Sequence, residues 1–177
     1  MKLEYVLPAD IERRSFEIIE SELKTEIPEN IKPVVIRAIH TTADFDYAEN
    51  LYFSDNVIDT ALKVLDMGAV IVTDTNMAKA GINKSALARH GCDCMCFMAD
   101  EDIAETAKRN GTTRDFIPEL VIGAPVGFVN VVQSKEMLIA SGVPCIVARG
   151  RKGGSNVAAA ICNALLYMLD NKKGLKK

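Results

Sequence analysis

Residues 149–155 read Arg149-Gly150-Arg151-Lys152-Gly153-Gly154-Ser155. Three cations and three glycines sit between an apolar run and an Ala-rich stretch of helical character. Glycine lets backbone amides approach a ligand closely. A helix start adds N–H donors and a field that favours anions. Arginine grips a carboxylate through two parallel hydrogen bonds. The segment therefore reads as an anion site rather than as a solvated turn. Its spacing matches neither a Gly-Lys-Ser/Thr phosphate loop nor a G-x-G-x-x-G fingerprint, so it supports no nucleotide site.

Three other clusters bear chemistry. Gly123-Ala124-Pro125-Val126-Gly127-Phe128-Val129 is an apolar, Gly-interrupted loop, followed by Ser134-Lys135. It suits a large flat apolar ligand, or equally a tight turn packed on its own domain. His40, in Arg37-Ala38-Ile39-His40-Thr41-Thr42, is one of two histidines. Histidine exchanges a proton near neutral pH, yet on pattern alone a helix-end histidine is more often structural. His90, in Arg89-His90-Gly91, reads as an ordinary helix-end residue. Cys92, Cys94 and Cys96 alternate, and a strand would turn all three to one face. They are too close for zinc spacing and have no fourth ligand nearby, so they read as core thiols and no metal is expected.

The elements that must position these groups follow from periodicity. A helix is predicted from Pro8 to about Lys24 and another over Ile31–Asp44, with Pro33 in its first turn. Leu51–Phe53 suits a short strand. Ser54 is a candidate cap for a helix from Asp55 to Met67, which Gly68 stops. Ala69–Thr73 is an apolar run of the type buried on both faces of a parallel sheet. Cys92–Met98, Leu120–Ile122 and Pro144–Ala148 read as further strands. Helices are predicted from Asp100 to Arg109, over Gln133–Ser141 and over Ser155–Asp170, leaving a Lys-rich tail at 171–177. Strands alternating with helices predict an α/β domain over 1–170 with a mainly parallel sheet. Ligands in such sheets sit beyond the carboxyl ends of the strands. Asp74 and the loops at 123–129 and 149–155 then share one edge.

Composition bounds the rest. The chain has 177 residues, 49% hydrophobic and 25% charged, with a net charge of −3. This fits one soluble domain with a sizeable core and gives no global basic field for nucleic acid. No apolar run approaches the roughly 20 residues of a membrane span, and no signal pattern opens the chain. A cytoplasmic location is expected, with the five cysteines reduced.

Several segments together resemble the precorrin-8X methylmutase family, also known as cobalt-precorrin-8 methylmutase. They are Arg14-Ser15-Phe16, Arg37-Ala38-Ile39-His40, Asp74 with Met77, Gly111-Thr112-Thr113-Arg114, Pro125-Val126-Gly127-Phe128-Val129, Ser134-Lys135 and the 149–155 loop. The resemblance implies a three-layer α/β/α fold and a homodimer with the substrate at the subunit interface. It implies a 1,5-shift of a methyl from C-11 to C-12 of a corrin precursor, giving hydrogenobyrinate or, with cobalt present, cobyrinate. His40 maps onto the family histidine that moves a proton, and Ser15 onto a substrate-contacting serine. Arg114, Lys135, Arg149 and Arg151 become candidates to hold carboxylate arms, and Arg14 and Arg37 join them as further candidate substrate-binding residues. Gly127, Phe128 and Val129 become a wall for the ring, and Gly153 and Ser155 complete the loop. No cofactor is implied, because a methyl shift changes no oxidation state. Family members carry about 30 further residues, a strand and a helix, between Arg114 and Gly123. A second reading, a non-catalytic tetrapyrrole-binding protein of the same family, needs the basic loops but not His40.

Overall fold

The computed structural model describes residues 5–96 and 118–175. Arg114, the helix predicted from Asp100 to Arg109 and the end of the strand at Phe97 and Met98 lie outside the described residues.

A single 3-10 turn over Pro8–Asp10 leads into α1 (Ile11–Glu22). Ile19 is buried while Ile11 and Ile18 stay exposed, which accounts for the uneven apolar side of this helix. In α2 (Lys32–Thr42) the proline lies in the first turn. Val34, Val35, Ile36, Ala38 and Ile39 are all buried between α1 and the last helix of the chain. Burial on two sides thus overrides the strand preference of the β-branched run. Ala43 ends α2 in a left-handed conformation, φ 53°.

A short helix α3 (Tyr47–Asn50) runs directly into β1 (Leu51–Phe53). This strand is antiparallel to β5 (Cys145–Ala148), with Leu51 opposite Ala148. β5 is also parallel to β4 (Val121–Gly123), so the order is β1-β5-β4. Ser54 does not cap a helix. Its N–H donates to Cys145 O and its hydroxyl accepts from Cys145 N–H, both stapling β1 to β5. Helix α4 (Val57–Asp66) begins instead after Asn56, at φ 56°, and buries Val57, Ile58, Ala61, Leu62 and Leu65 along one stripe.

Beyond Gly68, β2 (Val70–Thr73) pairs in parallel with β3 (Asp93–Cys96) as a separate two-stranded sheet. The expectation that β2 is buried on both faces fails. Val70 and Val72 are 53% and 42% exposed, because among the described residues helices cover only the other face. Those helices are α5 (Asn76–Gly81), capped by Thr75, and α6 (Lys84–Arg89), capped by Asn83. Both caps accept an N–H from the third residue on.

Helix α7 (Val131–Ala140) bridges β4 and β5, and α8 (Ser155–Lys172) closes the described fold, two residues beyond the predicted end. Nine apolar residues of α8 are buried, from Val157 to Leu169, and α2, α4, α5 and α6 all pack on it. Its small residues permit close approach: a Cβ on Gly81 would lie 2.8 Å from that of Ala159. The architecture is α/β with mainly parallel strands, as predicted, apart from the antiparallel edge strand β1. No described helix is long and apolar enough to cross a membrane. All five cysteines are free thiols.

His90 is not an ordinary helix-end residue. Its side chain is fully buried and its Nε2 lies 2.9 Å from Asp170 Oδ1 on α8. Arg89 grips the same carboxylate through Nε and Nη2.

Candidate active site

His40 stands in the last turn of α2, half-buried, facing α1. Its Nδ1 is 2.8 Å from Ser15 Oγ, and the Phe16 ring meets it edge-on at 5.3 Å. Nε2 makes no hydrogen bond among the described residues. It is the ring nitrogen left for a ligand. One turn earlier, Arg37 donates to both oxygens of Glu12, at 3.0 and 3.4 Å. Its guanidinium lies over Phe16 at 5.1 Å and over Tyr167 at 4.7 Å. Arg37 therefore locks α1, α2 and α8 together behind the histidine. Arg14 lies on α1, 3.6 Å from Glu17.

The two glycine-bearing loops are joined. Gly154 N–H donates to Ala124 O at 2.7 Å, and Gly127 N–H to Arg151 O at 3.3 Å. Gly153 permits this approach, since a Cβ there would sit 2.4 Å from Ala124 O. Ser155 Oγ meets Thr75 Oγ1 at 2.8 Å, which brings the carboxyl end of β2 to the same point. Thus the predicted edge exists, with β2, β4 and β5 all delivering their loops to the start of α8.

The cations of this edge divide sharply. Arg149 is bound to both oxygens of Glu136, at 2.8 and 3.1 Å, and lies over Tyr52. Lys152 bridges Asp44 and Asp46, at 2.7 and 2.5 Å. The two carboxylates push the Lys152 ammonium well above the ordinary lysine range, and Lys152 holds the Asp44 carboxyl below its own. This clamp fastens the 149–155 loop to the turn that follows His40. Lys135 is 2% exposed, and its ammonium donates to the carbonyls of Gly150 and Lys152. Two of the three donors of the Lys135 ammonium are thus committed inside the loop. Among the described residues Arg151 is the loop cation with no carboxylate partner. Its guanidinium lies 5.4 Å from the centroid of Phe128, itself 83% exposed. Val126 and Val129 extend this apolar surface, 63% and 82% exposed.

The family profile described as CbiC, precorrin-8X methylmutase, matches residues 10–117 and 115–168. The chain belongs to the precorrin-8X methylmutase family. It is 37% identical to a cobalt-precorrin-8 methylmutase of Salmonella typhimurium, over 92% of this chain and 96% of that one. A protein of the same name from Leptospira interrogans is 33% identical over 95% of this chain and 96% of its own. The crystal structure of a precorrin-8X methylmutase from Thermus thermophilus superposes with a TM-score of 0.83 at 30% identity, covering 92% of this chain and 98% of that chain. The Salmonella alignment spans 201 positions, more than the 177 residues of this chain. That relative therefore has residues without a counterpart here. The two profile segments meet at 115–117, between β3 and β4, where the family's further strand and helix were predicted.

Several members of the site escaped the sequence reading. Glu12, Asp44, Asp46, Thr75 and Glu136 orient the groups that were predicted. The signal for Glu136 was its place beside Lys135. Asp44 and Asp46 gave none, since they meet Lys152 across 108 and 106 residues of chain.

Proposed function

We propose that the protein is the isomerase that moves a methyl group from C-11 to C-12 of precorrin-8X or cobalt-precorrin-8, yielding hydrogenobyrinate or cobyrinate. The observation that carries this reading is the Ser15–His40 pair, one open imidazole nitrogen backed by a hydroxyl, in a chain of this family. A migrating methyl changes the charge on the conjugated macrocycle. A proton within reach of Nε2 stabilises that charge most in the transition state. The Ser15 hydroxyl can donate to Nδ1, leaving the proton on Nε2, or accept from it, leaving Nε2 bare. As the imidazolium, with Nδ1–H donating to Ser15 Oγ, His40 gives its Nε2 proton to the macrocycle and becomes neutral, and it takes that proton back once the methyl has moved. No cofactor enters the scheme.

Substrate recognition divides between the loops. Phe128 and Val129, beside Gly127, offer a flat apolar face. Arg151 offers its guanidinium to a carboxylate arm, while Arg149, Gly153 and Ser155 shape the loop that carries it. Arg14, Arg37 and Arg114 complete the candidate contacts, Arg37 by fixing the wall behind His40. The exposed apolar face at Val126, Phe128 and Val129 supports a homodimer in which two subunits enclose the macrocycle. A cytoplasmic location suits the five free thiols. The test is conversion: purified protein mixed with precorrin-8X is followed through the visible spectrum. Appearance of the hydrogenobyrinate spectrum supports the isomerase. Binding without any spectral conversion favours the tetrapyrrole carrier instead.

A further inference from the structure

Three consecutive carbonyls of the cationic loop are held from inside. Gly150 O and Lys152 O accept from the Lys135 ammonium at 2.9 and 2.8 Å. Arg151 O, between them, accepts from Gly127 N–H at 3.3 Å. A residue whose own carbonyl and both neighbouring ones are fixed this way has the direction of its Cα–Cβ bond set by the backbone. That residue is Arg151, and Gly127 is followed at once by Phe128, on whose ring the guanidinium lies. One buried ammonium thus sets both halves of the Arg151–Phe128 pair.

The choice of a lysine here asks for a reason. Lys135 is 2% exposed, and no carboxylate among the described residues pairs with it. Its neighbour Glu136 is committed to Arg149. Burial pushes the Lys135 pKa down, since desolvation opposes its charge. A buried charge without a counter-ion opposes folding, and methionine would fill the same space without that penalty. Packing alone therefore does not account for it.

We propose that Lys135 is a positioning residue that aims the Arg151–Phe128 pair at the ligand without touching the ligand itself. The proposal rests on the reading of this edge as the macrocycle site.

The test compares Lys135→Met, which keeps the length and loses the donors, with Lys135→Gln, which keeps donors and loses the charge. Each is made alone and with Arg151→Ala. Hydrogenobyrinate binding is titrated by absorbance, and exchange of the Gly127 amide is measured without ligand. Lys135→Met should weaken binding about tenfold or more, as Arg151→Ala does by losing a charge-assisted contact. The double variant should bind no more weakly than Lys135→Met alone, because Arg151 acts only when Lys135 aims it. Gly127 N–H should exchange faster in Lys135→Met, with partial recovery in Lys135→Gln. Additive losses, or wild-type protection of Gly127, would overturn the proposal. So would loss of the native circular dichroism in both variants, which would make Lys135 a folding residue. A wild-type protein that ignores hydrogenobyrinate would sink the macrocycle reading, while the Gly127 measurement would still decide the role of Lys135.

Discussion

Ser15 and His40 carry the chemistry proposed for this chain, and their contact fixes which ring nitrogen is committed. With Nδ1 facing Ser15, Nε2 is the atom proposed to meet the macrocycle. His40 is only half-buried, so its removal should leave folding intact. His40→Ala is expected to lower conversion by about 10²–10⁴, the usual worth of general acid–base help. Hydrogenobyrinate should still bind, and circular dichroism should stay native. Wild-type turnover in that variant would remove His40 from the mechanism. The thiols make a contrast. Burial pushes Cys162 up to about 12 and raises Cys92, Cys94 and Cys145 as well. These four remain protonated at neutral pH and are shielded from reagents. Cys96 is the one cysteine not fully buried. Iodoacetamide on the native protein should label Cys96 first, as mass spectrometry of the digest would read. Prior labelling of Cys162 would contradict the packing of α8.

At the scale of elements, α8 is the member on which the others depend. Its start receives the two ligand loops and the end of β2, and its far end is pinned by Arg89 and His90 through Asp170. Arg89 first, then His90, holds the Asp170 carboxyl below the usual carboxylate range. A carboxyl whose folded pKa is depressed contributes stability above its unfolded value, near pH 4, and loses it as pH falls toward the folded value. Asp170→Asn should cost on the order of 3 kcal/mol at neutral pH, since it removes the buried carboxylate that Arg89 and His90 share. The difference from wild type should narrow below about pH 4. Thermal melts from pH 7 to pH 3 would measure this, and a constant gap would mean that the carboxylate charge is not what pins α8. The Lys152 clamp on Asp44 and Asp46 is exposed, and its value lies in loop geometry more than in stability.

At the scale of the whole molecule, the described strands fall into two pieces. Strands β2 and β3 form one piece and β1, β5 and β4 another, and among the described residues no backbone ladder joins the two. The two segments matched by the family profile meet at 115–117, between β3 and β4. Continuity across the gap comes from α8, packed on α5 behind β2 and on β4. The exposed apolar loop at Val126, Phe128 and Val129 is the surface that the proposed homodimer would cover. Sedimentation at micromolar concentration should give a dimer. A monomer with and without hydrogenobyrinate would place the whole site within one chain.

From sequence alone the α/β class was legible, because short apolar runs alternating with 3.6-period stretches have few other solutions. So were the cationic loop, its glycines and, through resemblance, His40 and Ser15, because these depend on neighbours in the chain. Local signals misled where a distant partner outcompeted them. Ser54 has the makings of a helix cap, yet the strand edge of Cys145 takes its hydroxyl. Val70 and Val72 look like a strand buried on both faces, yet they stand exposed because burial is set by what packs above a strand. His90 looks ordinary until Asp170 arrives from 80 residues away. The division of labour among the cations belongs wholly to the tertiary structure. Arg149, Arg151, Lys152 and Lys135 are alike as charges in a sequence. Only the positions of Glu136, Asp44, Asp46 and two backbone carbonyls decide that Arg151 is the one left facing outward, because a charge is committed by what lies within a few ångströms of it in space.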